Sequence, residues 1–162
     1  MPDPHRGGDE PTSLPRQVLL VVDDEVDIRE SLKDLFEGGL EGVDVKLAES
    51  GPEALAMLAD VDVDAIVTDY RMPGMSGLEF LAEARRIAPD IPAILITAYP
   101  DLDLAIRAVN EARVTSFFTK PLEPVTVLDV VRRALDDRRA DDLRNRAFAR
   151  SLDLLRREMR GH

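Results

Sequence analysis

The chain has 162 residues, 44% of them hydrophobic and only 4% aromatic, and its 21 basic and 32 acidic side chains leave a net charge of −11. Without a single cysteine it can hold no disulfide, thiolate nucleophile, zinc finger or iron–sulfur cluster, and the low aromatic content argues against base-stacking platforms. The two histidines, His5 and His162, stand at opposite ends, which removes His-based triads and leaves any chemistry to carboxylates, hydroxyls and lysines.

Residues 1–16 hold four prolines (Pro2, Pro4, Pro11 and Pro15) with no periodic pattern, and are expected to form a flexible tail. The string Gly7-Gly8-Asp9-Glu10 matches a short signature of diguanylate cyclases, but it precedes Pro11 with no domain around it and is read as chance. The tail has no apolar stretch of the secretory kind, and no apolar run approaches the roughly 20 residues of a membrane span. A cytoplasmic protein without membrane contact is therefore expected.

Strands and helices then alternate. Residues 18–22 form an unbroken run of Val and Leu, as in a strand buried on both faces. Ile28, Leu32, Leu35 and Phe36 recur at helical spacing. Val43, Val45 and Leu47 alternate as a strand, and residues 52–58 open on a proline suited to a first helical turn. Residues 65–68 are a second buried strand. Ser76 can cap a helix carrying Leu78, Phe80, Leu81, Ala84 and Ile87. Residues 93–96 predict a strand, 102–109 a helix and 114–118 a strand, and from Pro124 a final helix begins.

Five such alternations over residues 17–135 select an α/β fold: a doubly wound, five-stranded parallel sheet with helices on both faces and right-handed crossovers. Sites in such sheets lie beyond the carboxyl ends of the strands. There, strand one ends in Asp23-Asp24, strand three in Asp69, strand four in Thr97 and strand five in Lys120-Pro121. Clustered carboxylates repel one another and favour whatever proton or cation relieves them. Oxygen ligands in a partial cage suit Mg²⁺, here Asp23, Asp24 and Asp69 with the backbone carbonyl of Arg71. Asp69 is then the candidate nucleophile toward a phosphoryl group, Lys120 the positive charge for its oxygens, and the Thr97 hydroxyl a further donor.

The chain resembles a response-regulator receiver domain of two-component signalling, of flavodoxin-like fold. The resemblance rests on Val21-Val22-Asp23-Asp24-Glu25, the segment Ile66-Val67-Thr68-Asp69-Tyr70-Arg71-Met72-Pro73-Gly74-Met75-Ser76-Gly77, Leu95-Ile96-Thr97-Ala98 and Phe117-Phe118-Thr119-Lys120-Pro121, in register over about residues 17–136. It implies that Asp69 takes a phosphoryl group from a histidine kinase or phosphotransfer protein, with Mg²⁺ required. It also implies a cis peptide bond before Pro121, a Thr97 hydroxyl that swings toward the phosphoryl group, and an aromatic, Phe117, that follows it inward. Arg71 and Tyr99 then flank the site where such domains tune phosphoryl lifetime. One departure is Arg113, where the family commonly has glycine before strand five; the expectation here is that Asn110 takes the left-handed position.

Charge and pattern change after residue 135. Residues 132–162 carry ten arginines and six acids, against 11 basic and 26 acidic residues in 1–131. With no Pro or Gly from 134 to 160, the last helix is expected to run on to Gly161. Phe148, Leu152, Leu155 and Met159 recur at four, three and four residues, the spacing of a coiled-coil seam. Residues 136–162 are accordingly expected to be a helical extension joining two copies, ahead of folding back or binding nucleic acid. The expected function is a phosphorylation-switched regulator that signals through contact with a downstream protein and has no direct nucleic-acid role. Two alternatives are an Mg²⁺-dependent phosphatase with an aspartyl nucleophile and a non-phosphorylated scaffold.

Overall fold

In a computed structural model, which describes residues 14–161, the order of elements is β1 (Gln17–Val22), α1 (Val26–Gly39), β2 (Val43–Ala48), α2 (Gly51–Asp60), β3 (Ala65–Asp69), α3 (Gly77–Ile87), β4 (Ala93–Thr97), α4 (Leu102–Asn110), β5 (Ser116–Thr119) and α5 (Pro124–Arg160). All strands are parallel in one sheet of order β2-β1-β3-β4-β5. The chain reverses its winding direction between β1 and β3, so a crevice opens there at the carboxyl edge. The Gly7–Glu10 string, His5, His162 and most of the expected tail lie outside the described residues.

The two-residue period of the strands divides the core into two layers. Leu20, Val22, Ile66 and Leu95 face a layer completed by α2, α3 and α4, with Phe80 and Leu81 fully buried. Leu19, Val21, Val67, Ile94 and Ile96 face the other layer, built by Leu32 and Phe36 of α1 with Val127, Val131 and Leu135 of α5. Residues facing both layers explain why β1, β3 and β4 read as unbroken apolar runs. Helix starts follow their caps: the Ser50 and Ser76 hydroxyls accept from the N–H groups of Glu53 and Glu79, and Asp101 and Glu123 do the same for α4 and α5.

Two points differ from or extend the sequence-based picture. Asn110 does not take the left-handed position; it is the last residue of α4, and Arg113 does so instead, with φ 50°. The helix continues to Asn110 and the reversal falls three residues later. There the Arg85 guanidinium donates to the carbonyls of both Ala112 (3.1 Å) and Arg113 (3.0 Å). The final helix runs unbroken for 37 residues, about 55 Å, through the expected boundary at 135/136. Gln17 Nε2 donates to the Leu135 carbonyl at 2.7 Å, and Arg139 to the Pro15 carbonyl at 2.5 Å, tying α5 to the start of β1. Beyond Asp142 every α5 residue is exposed. No helix among the described residues is long and apolar enough to cross a membrane.

Candidate phosphoryl-acceptor site

Register brings the acids together. Val22 pairs with Thr68 in the β1–β3 ladder, so Asp23 and Asp69, each one residue further on, leave the sheet side by side at the crevice. Asp24 follows on the β1–α1 turn. One carboxylate oxygen from each of Asp23, Asp24 and Asp69 lies within 4.8 Å of the others. Asp23 is 1% exposed and Asp69 7%, while Asp24 is open to solvent.

Lys120 follows β5, whose Thr119 pairs with Thr97 of β4. Its backbone N–H donates to the Thr97 carbonyl at 2.8 Å, and the Lys120–Pro121 bond is cis. The ammonium stands 3.0 Å from Asp69 Oδ1 and 3.8 Å from Asp23 Oδ2. One lysine against three acids leaves negative charge in excess, and the electrostatics of the site follow from that. Burial, chiefly, raises the Asp23 carboxyl to about 6; Asp69 and Asp24 add to the rise, and the Glu25 N–H (2.9 Å) and Lys120 oppose it. Burial also raises Asp69 above the ordinary carboxylate range, against the pull of Lys120. For Lys120, burial alone would lower the ammonium, but its bond to Asp69 and the charges of Asp69, Asp23 and Glu25 outweigh it and the group is raised.

A site in which buried acids hold their protons too tightly is one that a divalent cation relieves. Three carboxylates and open space above Asp24 fit Mg²⁺, which keeps several waters and accepts few protein oxygens. Arg71 borders the same shallow depression as Asp24, Tyr70, Met72, Pro73 and Ser76.

Thr97 is 1% exposed at the end of β4, and its Oγ1 accepts the Tyr99 N–H at 3.2 Å, which leaves the hydroxyl proton to be donated. Phe117 is half-buried on β5 and packs against the α2–α3–α4 layer. Above the site the Arg71 guanidinium lies 5.0 Å from the centroid of the exposed Tyr99 ring, joining the β3–α3 and β4–α4 loops. Phe148, Leu152, Leu155 and Met159 are far along α5 and meet none of these groups.

Two supporting residues carried no signal strong enough to assign in advance. Gly77 opens α3 with its N–H on the Tyr70 carbonyl at 2.8 Å, and a Cβ there would lie 2.2 Å from the Asp69 carbonyl oxygen. Only glycine lets α3 start against the backbone of the acid. In the sequence it closes the motif segment from Ile66, directly after a capping serine, where a better helix former is the usual choice, but that place does not reveal the close approach. Arg29 Nη1 donates to the Asp23 carbonyl at 2.8 Å, fixing the β1–α1 turn from one helical turn away.

Known proteins share this sequence pattern and fold. Residues 19–132 match the response regulator receiver domain. The chain is 38% identical over 118 residues to the hydrogenase transcriptional regulatory protein HoxA of Cupriavidus necator, covering 73% of this chain and 24% of that protein. It is 39% identical over 111 residues to the response regulator receiver protein Anae109_2439 of Anaeromyxobacter, covering 68% and 45%. The chain thus spans less than half the length of these relatives. The signal receiver domain of an HD domain-containing protein from Pseudomonas fluorescens superposes with a TM-score of 0.73 at 29% identity, over 77% of this chain and 98% of that one. With the match covering most of its length and the acidic crevice in the expected place, the chain belongs to the response regulator receiver domain family.

Proposed function

We propose that this receiver is switched by phosphorylation of Asp69. Receiver domains are regulatory modules phosphorylated by histidine kinases and linked to outputs, and the observation that carries the proposal here is the Lys120 ammonium 3.0 Å from an Asp69 carboxylate inside the three-acid cluster. An Asp69 oxygen attacks the phosphorus of a partner's phosphohistidine, the N–P bond breaks, and the freed imidazole leaves with the electron pair while an acyl phosphate forms. Asp23, Asp24 and Asp69, with the Arg71 carbonyl, would hold Mg²⁺, which neutralises charge on the transferred oxygens. Lys120 moves its ion pair from the carboxylate to a phosphoryl oxygen, Thr97 donates its hydroxyl to another, and Phe117 follows into the space beside β5. Excess negative charge then has fixed partners, and the α4–β5–α5 face settles in a second arrangement.

The output is a protein contact in the cytoplasm, with a downstream target or output module, and the exposed end of α5 meets a second copy of the chain. A single helix with interleaved acids is a poor DNA-reading element, so nucleic acid is not the partner. Incubation with acetyl phosphate and Mg²⁺ should give a phosphoryl adduct by intact mass spectrometry on the wild type and none on Asp69→Asn. Equal labelling of the two would overturn the assignment, and multiple-turnover release of phosphate from a monoester would favour a phosphatase instead.

A further inference from the structure

We propose that the cleft beneath the overhanging part of α5 binds an aliphatic monocarboxylate, with its chain on the apolar walls and its carboxylate on the Arg138 guanidinium. The inference goes beyond the reading of Asp69 as a phosphoryl acceptor and uses none of that site's groups.

Topology makes the cleft. A helix after a parallel strand returns toward the amino edge, and the Leu135 carbonyl of α5 meets Gln17, the first residue of β1. Later residues of α5 therefore overhang that edge. α5 lies on one face of the sheet, and α2 and α3 lie on the other. Between the overhang and the turns after α2 and α3, a cleft of about 530 Å³ opens across the amino edge, the size of a small-molecule site. Leu58, Val63 and Ile91, at most 7% exposed, form its floor. Leu14, Val61, Ile87 and Leu143 stand around it, 37–52% exposed. A single exposed aliphatic side chain needs no account, but four around one cleft form a surface suited to an apolar ligand.

The polar groups of the cleft choose the ligand's head. Arg138 lines it from α5, and its Nε is buried without a hydrogen-bond partner. Two neighbouring guanidiniums are engaged: Arg139 donates to the Pro15 carbonyl and Arg16 to Asp44. A buried charged donor without an acceptor is costly, and one edge of a guanidinium matches a carboxylate through two parallel hydrogen bonds. Asp142, one helical turn beyond Arg138, makes no bond to that Nε. With Asp62 on the α2–β3 turn, it instead lines the cleft with negative charge. These acids repel a multiply charged ligand such as a phosphate dianion, so a single carboxylate is the anion that Arg138 can hold. No hydroxyl, thiol or imidazole among the described residues lines the cleft, which makes it a binding site.

The test is titration of octanoate into nitrogen-15-labelled full-length protein, followed by amide shifts. It contains no Mg²⁺ and no phosphoryl donor, so its outcome is independent of whether Asp69 is phosphorylated. Amides of residues 61–64 and 138–146 should move and saturate, with a Kd below about 1 mM. Arg138→Met keeps the aliphatic stem and loses the charge, and should weaken binding about tenfold; the neutral isostere octanamide should bind wild type about tenfold more weakly than octanoate. Leu143→Asp, at an exposed helix position, removes part of the rim and adds repulsion, and should weaken octanoate about fivefold. Leu154→Asp, equally exposed but three turns further along α5, should stay within about twofold of wild type. Shifts that spare both segments, or no saturation by about 5 mM, overturn the site. Equal octanoate affinity in wild type and Arg138→Met, or tighter binding of octylammonium than of octanoate, overturns the carboxylate assignment.

Discussion

The two edges of the sheet are built on opposite principles. At the carboxyl edge, Asp23 and Asp69 are buried beside each other with one lysine between them, and both carboxyls are pushed toward their protonated form. At the amino edge, two polar side chains are held by backbone carbonyls instead of by opposed charges. The half-buried Arg85 guanidinium donates to the carbonyls of Pro89, Ile91, Ala112 and Arg113, closing the α3–β4 and α4–β5 turns together. Gln17 does the same between β1 and α5. One edge stores electrostatic repulsion that a cation and a phosphoryl group release; the other is a fixed base against which the first can move.

The largest effect expected from breaking this contrast is at Gly77. A Cβ at 2.2 Å from the Asp69 carbonyl cannot be absorbed by a flexible side chain, since the clashing atom is backbone. Gly77→Ala should therefore push α3 away from β3 and cost about 3 kcal/mol in urea unfolding, the upper end of overpacking effects. It should also slow labelling of Asp69 by acetyl phosphate, because the acid moves with its backbone. Unchanged stability and labelling would mean that α3 does not start against Asp69.

Arg85→Met should come next, at about 2 kcal/mol, since the aliphatic stem is kept and charged donors to otherwise poorly satisfied carbonyls are lost. The informative part is the dissociation of effects. Labelling of Asp69 with saturating acetyl phosphate and Mg²⁺ should stay within twofold of wild type, because no atom of the carboxyl edge touches Arg85. A loss of labelling at full folding would show that the amino edge takes part in the chemistry.

The sign reverses at Asp23. Its carboxyl holds its proton up to about pH 6 in the fold, whereas the unfolded chain releases it near the ordinary value of 3.8. Between these values the folded state carries the extra proton, so the stability is complete below about pH 4 and is lost as pH rises through 6. Asp23→Asn keeps the acceptor for the Glu25 N–H and removes the charge. In EDTA at pH 7.5 it should be more stable than wild type by about 1–2 kcal/mol. That figure takes ~1.4 kcal/mol for each pH unit separating the folded and unfolded carboxyls, discounted for relaxation of the site. Wild type should gain stability on acidification from pH 7.5 to 5 and the variant should not, and Mg²⁺ should stabilise wild type far more than Asp23→Asn. A variant less stable than wild type in EDTA would show that the Lys120 contact outweighs the repulsion.

These edges were not equally open to reading in advance. At the carboxyl edge, Asp23, Asp69, Thr97 and Lys120 each end a short apolar run, and the topology rule for parallel sheets says where such ends meet. The run marks the strand and the charge marks its end, so local information suffices. At the amino edge nothing local distinguishes Arg85 from a basic residue placed in a last helical turn to oppose the helix dipole. Its four carbonyl partners come from two turns that are adjacent only after folding. Gly77 is intermediate: its place in the sequence motif was visible, but its reason, a close approach to the Asp69 carbonyl, is a distance between elements. Along α5 the continuity of the helix was legible from the absence of Pro and Gly between residues 134 and 160, because helix propensity alone decides an exposed segment.

The smallest effect expected sharpens the comparison most, because it lies on the amino edge at a residue that local rules misplace. Asn110, the residue that tolerates left-handed backbone best in that turn, is held in α4, and Arg113 carries φ 50° instead. A side chain with a Cβ costs about 1–2 kcal/mol there, and glycine would relieve it, at the expense of extra freedom in the unfolded chain. Arg113 also lies near Arg85, whose guanidinium is pulled below its ordinary pKa first by burial and then by the Arg113 charge. Arg113→Gly should thus stabilise the protein by about 0.5–1 kcal/mol, and the gain should shrink at high salt, where the like-charge part is screened. The clamp from Arg85 uses the backbone carbonyl of residue 113, so it survives the substitution. In the double variant Arg85→Met, Arg113→Gly the charge relief should vanish and only the backbone part remain. If Arg113→Gly is destabilising in both backgrounds, the arginine side chain contributes something at that edge that its strain does not cancel.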